Sequence, residues 1–533
     1  SRTLLGLSSS EDRTRLQAVE LAIPDDRPDW DLIRTTLFEP RINPDNEDYL
    51  NTGDPINPFT GEVRLCETDL AIPGRGLHFE FVRTYRSQNQ FNGPMGYGWD
   101  HRYNDRLTID KNTRNVIRYD GSGRADVFAS IGPDQWRAPT GVFAELTRIS
   151  PIRLEITEAD GTRFIYQPSI QDPQLRYRLA FIVDRYGNTL SFGYELINDR
   201  LSRIRDSLGR TIRFRHNVRG RMISMQDWSG RLTSYEYDAA DNLIAVTGPA
   251  TADFPHGKTT RYRYTEGLEE FTTQGSPADT ARLNHNLVSV TDPTGQTYLE
   301  FSYDLTLLDG DALDFDRVQT QRLGCPTAPA LPCGGTYRYS YFGADGSGTS
   351  PARVTRAETE NREGHRTIRH YSPSGHLERL EELVTINGNP TTLVTELSYT
   401  PDGLLESETT PRGLRTLTHY DSTNPDRLRQ ADLTGFDIHP IGGGAPRSTV
   451  LTPGPYGVPT TIIDPSGAAT THVVDNNGNI LRVDHAPVNQ PVTTGPPVTE
   501  AYTYGPRGEL RTHTAGDGVV TRYTYYLSLI HIS

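Results

Sequence analysis

The chain has 533 residues, a formal net charge of −14, 35% hydrophobic residues, 48 Gly, 37 Pro and 27 Tyr. A single hydrophobic core stops growing at ~250–300 residues, so this length requires several domains or a repeat. The acidic balance argues against a general nucleic-acid binder, which carries a basic footprint, and the lack of any run of ~18 apolar residues excludes a membrane-spanning helix.

Residues 1–50 read as an N-terminal tail and linker. Leu16, Val19 and Glu20 are spaced for one turn of a short helix over 11–21, and Ile23-Pro24-Asp25-Asp26-Arg27-Pro28-Asp29 breaks it. Residues 51–108 form an upstream β module of different texture. Segments such as Phe79-Glu80-Phe81-Val82-Arg83-Thr84-Tyr85 alternate with the turn chemistry of Asn57-Pro58, Thr60-Gly61 and Gly93-Pro94. His101, beside Trp99 and Tyr103, is expected to pack or hydrogen-bond there. Residues 109–160 follow as transition strands.

From 161 to 526 the chain repeats. Asp184-Arg185-Tyr186-Gly187, Asp206-Ser207-Leu208-Gly209 and Asp227-Trp228-Ser229-Gly230 place glycines at 187, 209 and 230, so 22 and then 21 residues apart. The element returns as Asp292-Pro293-Thr294-Gly295 and Asp464-Pro465-Ser466-Gly467. Asp at the first position accepts a local backbone hydrogen bond, and Gly at the fourth tolerates φ > 0, which is the chemistry of a hairpin with a bulge. A second element lies between anchors: Tyr237-Asp238 followed by Asn242-Leu243, then Tyr371, Tyr399 and Tyr504 with their own turns. In Thr260-Arg261-Tyr262-Arg263-Tyr264 the arginines share one face and the tyrosines the other. Such a hairpin is marginal alone, but neighbouring hairpins add cross-strand aromatic pairs worth roughly 0.2–1 kcal/mol each, so lateral extension of one all-β sheet is favoured.

Three stretches interrupt the period, near 250–285, 305–335 and 431–458, and read as loops or insertions at strand ends. Within the second, Asp309, Asp311, Asp314 and Asp316 offer oxygens that calcium accepts, but without the EF-hand length or terminal Glu a solvated loop is the better reading. Cys325 and Cys333 flank Pro326–Pro332; a local disulfide and two free thiols both remain open. Gly257-Lys258-Thr259 matches the end of a phosphate-binding loop, yet its required earlier glycine falls at Ala252. No catalytic residue and no cofactor is expected. Residues 527–533 break off from the repeat and read as a non-native tail.

Tyr237-Asp238 with Asn242-Leu243, and the Asp-x-x-Gly-Arg anchors at Asp206 and Asp227, resemble the Rhs/YD-repeat signature; Gly53 to Trp99 resembles the module found upstream of the repeats in bacterial members. The resemblance covers roughly 51–525. It implies a β-sheet solenoid spiralling into a hollow shell, here open and incomplete. In bacterial members the shell encloses a C-terminal toxin, so the implied partners are that cargo and a secretion apparatus, and the implied location is secreted or cell-surface. The block that closes the repeats, with its self-cleaving aspartates, is not found, and no toxin domain follows. The chain is therefore expected to be a shell segment without enzymatic activity of its own. The alternative is an adhesion protein that binds cell-surface glycan through the same repeats, with the Tyr faces as platforms.

Overall fold

In the computed structural model, which describes residues 55–74, 76–266, 282–305, 313–325, 334–343, 354–485 and 498–525, turn chemistry sets the fold. At Asp227, Oδ1 accepts the backbone N–H of Ser229 at 2.9 Å and of Arg231 at 3.0 Å, and Gly230 sits at φ +90°. Asp184, Asp206, Asp292 and Asp464 likewise accept from the residues two and four positions on. Gly187, Gly209, Gly295 and Gly467 take φ between +80° and +86°, a region that only glycine enters freely. At Asp238 the carboxylate holds the N–H of Asn242 at 2.8 Å, and Asp241 fills the left-handed position with φ +66°.

These turns join one continuous antiparallel sheet. From Ala144–Ser150 to Val520–Arg522 every strand pairs with its successor in the chain. The sheet branches once: Arg176–Val183 pairs with Thr189–Tyr194 along its C-terminal half and with Arg106–Ile109 along its N-terminal half. Arg106–Ile109 in turn starts a meander through Val116–Tyr119, Ala125–Gly132 and Gln135–Arg137. Among the described residues, Val520–Arg522 pairs only with Leu510–Thr514, so the sheet runs on as an open ribbon rather than a closed barrel.

The ribbon has two rims, and the two sequence elements divide between them. The Asp-x-x-Gly turns at 184–188, 206–210, 227–231, 292–296 and 464–468 lie on one, the anchor rim; the turns at 195–200, 217–221, 238–242, 372–376, 475–479 and 505–509 lie on the other, the tyrosine rim. The strand-end tyrosines give that rim its stitching. Tyr194, Tyr237, Tyr303, Tyr420 and Tyr525 donate their hydroxyls to the carbonyls of Leu179, Met222, Leu287, Leu405 and Leu510, one hairpin back, at 2.7–3.0 Å. A bulge directly precedes Tyr237, Tyr303 and Tyr420, and a bulge re-aims the side chain beside it.

The ribbon also coils back on itself. Turns of its later strands, on the tyrosine rim, rest on the anchor rim of its early strands. Arg427 bridges the bidentate carboxylate of Asp402, at 2.8 and 2.9 Å, to the carbonyls of Val142 and Pro139 at 3.0 and 3.2 Å. Further on, Arg185 lies 5.1 Å from the rings of both Tyr186 and Tyr456. Tyr186 then donates to Asn479 Oδ1 at 2.8 Å, and Asn188 donates to the carbonyl of Arg507 at 3.2 Å. The contacts advance in step along both windings, which is the geometry of a spiral.

The three stretches read as interruptions need correcting. Each supplies strands to the sheet: Thr259–Tyr264, Val318–Cys325, and both Leu433–His439 and Arg447–Pro453. In 431–458 the Gly and Pro residues are confined largely to the turns, while Phe436 and Ile438 alternate along a paired strand facing Thr449 and Arg447.

Candidate functional site

The upstream module builds its own small sheet from Ile56–Asn57, Glu62–Ile72, Phe79–Arg86 and Trp99–His101. Alternation along Phe79–Arg86 buries Phe79, Phe81 and Tyr85 together. This sheet sits on the tyrosine face of the first winding. Tyr235, Tyr262, Tyr264, Tyr339 and Tyr341 are all buried, while Arg261 and Arg263 on the opposite face are exposed.

At the centre of the contact is a polar knot. Asp69 is the unpaired residue of a bulge between Thr68 and Leu70, so its carboxylate faces Arg83, whose Nε donates to both oxygens at 2.9 Å. Arg83 Nη2 donates to the Tyr262 hydroxyl at 2.9 Å, and the Tyr235 hydroxyl donates to Asp69 Oδ2 at 2.9 Å. The guanidinium also lies 4.7 Å from the Trp99 ring and 5.3 Å from the Tyr262 ring. Burial works against the Arg83 charge, but Asp69, Tyr262 and Glu67 outweigh it and hold the pKa above the ordinary arginine value. Burial also raises the nearby Glu67 carboxyl, despite the pull of Arg83.

Further ties surround the knot. Trp99 Nε1 donates to the Tyr264 hydroxyl at 2.8 Å, and that hydroxyl donates to the Leu243 carbonyl at 2.7 Å. The Tyr85 hydroxyl donates to the His285 carbonyl at 2.8 Å and accepts from Leu287 N–H at 2.7 Å. Val318 N–H donates to the Gly61 carbonyl at 2.9 Å, and Arg317 donates to the Phe59 carbonyl at 3.1 Å. The approach is close enough that a Cβ on Gly61 would stand 2.5 Å from that of Arg317. Trp and Tyr each bury a large apolar body while the polar tip finds a partner, so the module is clamped at many points along the tyrosine rim.

His101 is buried within the module and stacks on Phe81 with ring centroids 5.0 Å apart. Burial, with help from the charges of His216 and Arg106, lowers its pKa to about 3. Burial pushes the adjacent Asp100 carboxyl up to about 6, against the opposing effects of Arg106, Asn104 and the His101 N–H.

The tyrosine face is covered only in part. Directly opposed pairs carry it from Tyr339 through Thr359, Thr367 and Glu382, and then through Leu397, Glu408 and Thr416. Farther on it presents Phe436, Leu451, Ile462, His472, Val483, Glu500, Tyr502 and His513. Past Leu404, no apolar side chain among the described residues is buried. The face that the module fills in the first winding is thus left uncovered in the second.

The sequence candidates fall as follows. All of the turn anchors stand in hairpins of the sheet. Asp316 is buried at φ +63° and accepts from Asn286 Nδ2 at 2.7 Å, so it belongs to the clamp rather than to a solvated loop. Asp309, Asp311 and Cys333 lie outside the described residues, as does the side chain of Cys325; the 11–21 helix and the 527–533 tail do too. Among the described residues no group of three or more His, Cys, Asp or Glu could hold a metal ion. The residues that sequence reasoning missed are Arg83, Asp69 and Trp99, whose tyrosine partners lie more than 150 positions away.

Hairpins laid edge to edge into a coiling ribbon, with a separate sheet seated on its inner face, define an all-β repeat protein of the shell-building kind. Residues 198–232 match the family model described as RHS Repeat, and residues 53–128 match one described as a domain of unknown function, DUF6531. Over these segments the chain is similar to Rhs/YD-repeat proteins. It is 34% identical over 93 residues to the tRNA nuclease WapA of Bacillus subtilis (strain 168), a match that covers 17% of this chain and 4% of that protein. Solved complexes titled TcdB2-TccC3-Cdc42 and TcdB2-TccC3 without hypervariable C-terminal region align over 99% and 87% of this chain and 30% and 26% of theirs. Their identities are 12% and 13%, and their TM-scores 0.45 and 0.44.

Proposed function

We propose that this chain is a wall segment of a secreted or surface-exposed toxin shell, and that the shell encloses an effector carried on the same polypeptide. The observation that carries this reading is the tyrosine face: buried under the module in one winding, open in the next. The module covers the tyrosine face of the first winding, and the second winding rises from the opposite rim, so the uncovered face borders the space that a cargo would occupy. The wall works mechanically, by excluding proteases and holding its cargo apart from the cell. Any toxic chemistry would reside in the cargo, and export through a secretion apparatus belongs to the same reading. Among the described residues no helix is long and apolar enough to cross a membrane.

Expression of the full-length gene tests this. The sequence beyond residue 525 should resist protease in the intact protein and become sensitive once mild denaturant opens the sheet. Digestion at the same rate before and after opening would refute encapsulation.

A further inference from the structure

The anchor rim of the first winding carries the second. Among the described residues no earlier winding lies beneath its tyrosine rim, and part of that rim is apolar. Three adjacent turns there, 169–175, 195–200 and 217–220, together with the turn preceding Arg153–Glu158, expose Ile152 (62%), Ile170 (45%), Leu196 (90%), Ile197 (90%) and Val218 (95%). The corresponding tips of the second winding are Asp402, Tyr456, Asn477 and Arg507. With strands ~4.8 Å apart, the exposed tips form a line about 30 Å long.

The ledge is built, not frayed. Asp199 accepts from Ile170 N–H at 2.7 Å, and Arg200 donates to the carbonyls of Asn217 and Val218 at 3.0 and 3.3 Å. Arg219 donates to the Ala239 carbonyl at 3.1 Å. The polar roots of the turns are laced together while their apolar tips point away. The ledge adjoins the module directly, since Met222 N–H donates to the Pro94 carbonyl at 2.8 Å.

We propose that the ledge is the docking surface for this chain's own residues 1–54, which lead into the module. Two observations select that occupant. The segment supplies apolar side chains, with Trp30, Leu32, Ile33, Leu37 and Phe38 close together. Its charge is complementary: 1–54 carries twelve carboxylates against six arginines, whereas the tyrosine-rim turns that bear the ledge, 151–153, 169–176, 195–200 and 217–221, carry five arginines against three carboxylates in a chain that is acidic as a whole. Docking would remove the apolar tips from water and pair an acidic segment with a basic rim.

The test uses the whole chain with the photo-crosslinking residue p-benzoylphenylalanine at position 197 or, separately, 218. Peptides crosslinked to each should map within 1–54. A second variant, L196D/I197D/V218D, alters only side chains that are 90% or more exposed, so folding is retained. Its cleavage by trypsin at Arg34 and Arg41 should rise roughly tenfold or more, because cleavage follows the undocked population. Crosslinks to a second copy, no crosslink at all, or an unchanged cleavage rate would each overturn the proposal.

Discussion

The hydroxyl of Tyr186 reaches the side-chain carbonyl of Asn479 at 2.8 Å across 293 positions of sequence. Tyr186 stands on an Asp-x-x-Gly turn and Asn479 on a turn of the opposite rim, one winding later. The contact therefore records how far the ribbon must travel before it meets itself. Around it, Arg185 and Tyr456 stack, and Gly508 admits the Tyr186 ring where a Cβ would come within 2.7 Å.

That close approach predicts a graded response at the seam. Y186F removes one neutral hydrogen bond, a loss of about 0.5–1.5 kcal/mol. G508V should do more, because it adds a branched side chain both against the ring and at a φ of +81°. Amide hydrogen exchange should accelerate in the strands from Leu405–Thr409 onwards and stay unchanged in Leu201–Arg205. Equal acceleration in both windings would show that the seam is not a separate unit of stability.

The tyrosine stitches should have unequal worth. In Y303F one hydroxyl bond, to the Leu287 carbonyl, is lost, with an expected cost of about 0.5–1.5 kcal/mol. In Y264F the bond to Leu243 goes as well as the acceptor for buried Trp99 Nε1, and an unsatisfied buried donor adds about 1–3 kcal/mol. Urea denaturation of the two variants should rank them in that order, and tryptophan fluorescence should shift only in Y264F.

Removing one partner of the polar knot should be costlier than removing both. R83M leaves Asp69 buried without its cation, and breaking a buried pair in this way costs about 3–5 kcal/mol. The double variant R83M/D69L replaces the pair with apolar volume and should recover much of that loss. Exchange protection of Phe79–Arg86 provides the measurement; a double variant no better than R83M would mean that the pair's value lies in packing rather than charge.

Acid should loosen the module through His101. An unfolded histidine titrates near 6.5, and the folded one near 3, so between these values the unfolded chain holds more protons. The stability this group confers is complete above pH 6.5 and is lost as pH falls towards 3. Between pH 6.5 and 5 the loss is about 2 kcal/mol. Asp100, pushed up to about 6, acts in the opposite sense between its ordinary 3.8 and that value, so the histidine part is isolated by comparison with H101F, which keeps the ring on Phe81. The acid-induced loss should be smaller in H101F than in the parent; parallel pH profiles would assign it elsewhere.

Much of this architecture is legible from local chemistry. Asp206 and Gly209 declare a hairpin because both act within five residues, and Tyr262 and Tyr264 declare a common face because strand geometry alone puts them there. Which face turns inward is not legible, since alternation is symmetric until something covers one side. The cover depends on Arg83, an ordinary-looking strand arginine whose role exists only through Tyr262, and on Asp69, which a bulge swings out of the pattern. The stretch 431–458 misleads for the opposite reason: its Gly and Pro residues signal turns strongly enough to mask the alternation of Phe436 and Ile438 between them.

The stitching of one winding onto another limits how such a gene can change length. Losing or duplicating a hairpin anywhere between Tyr186 and Gly508 would slide later turns off their seats, so recombination there would be purged. Among the described residues, hairpins gained past Gly508 would disturb no existing footing, so length can change there at little structural cost.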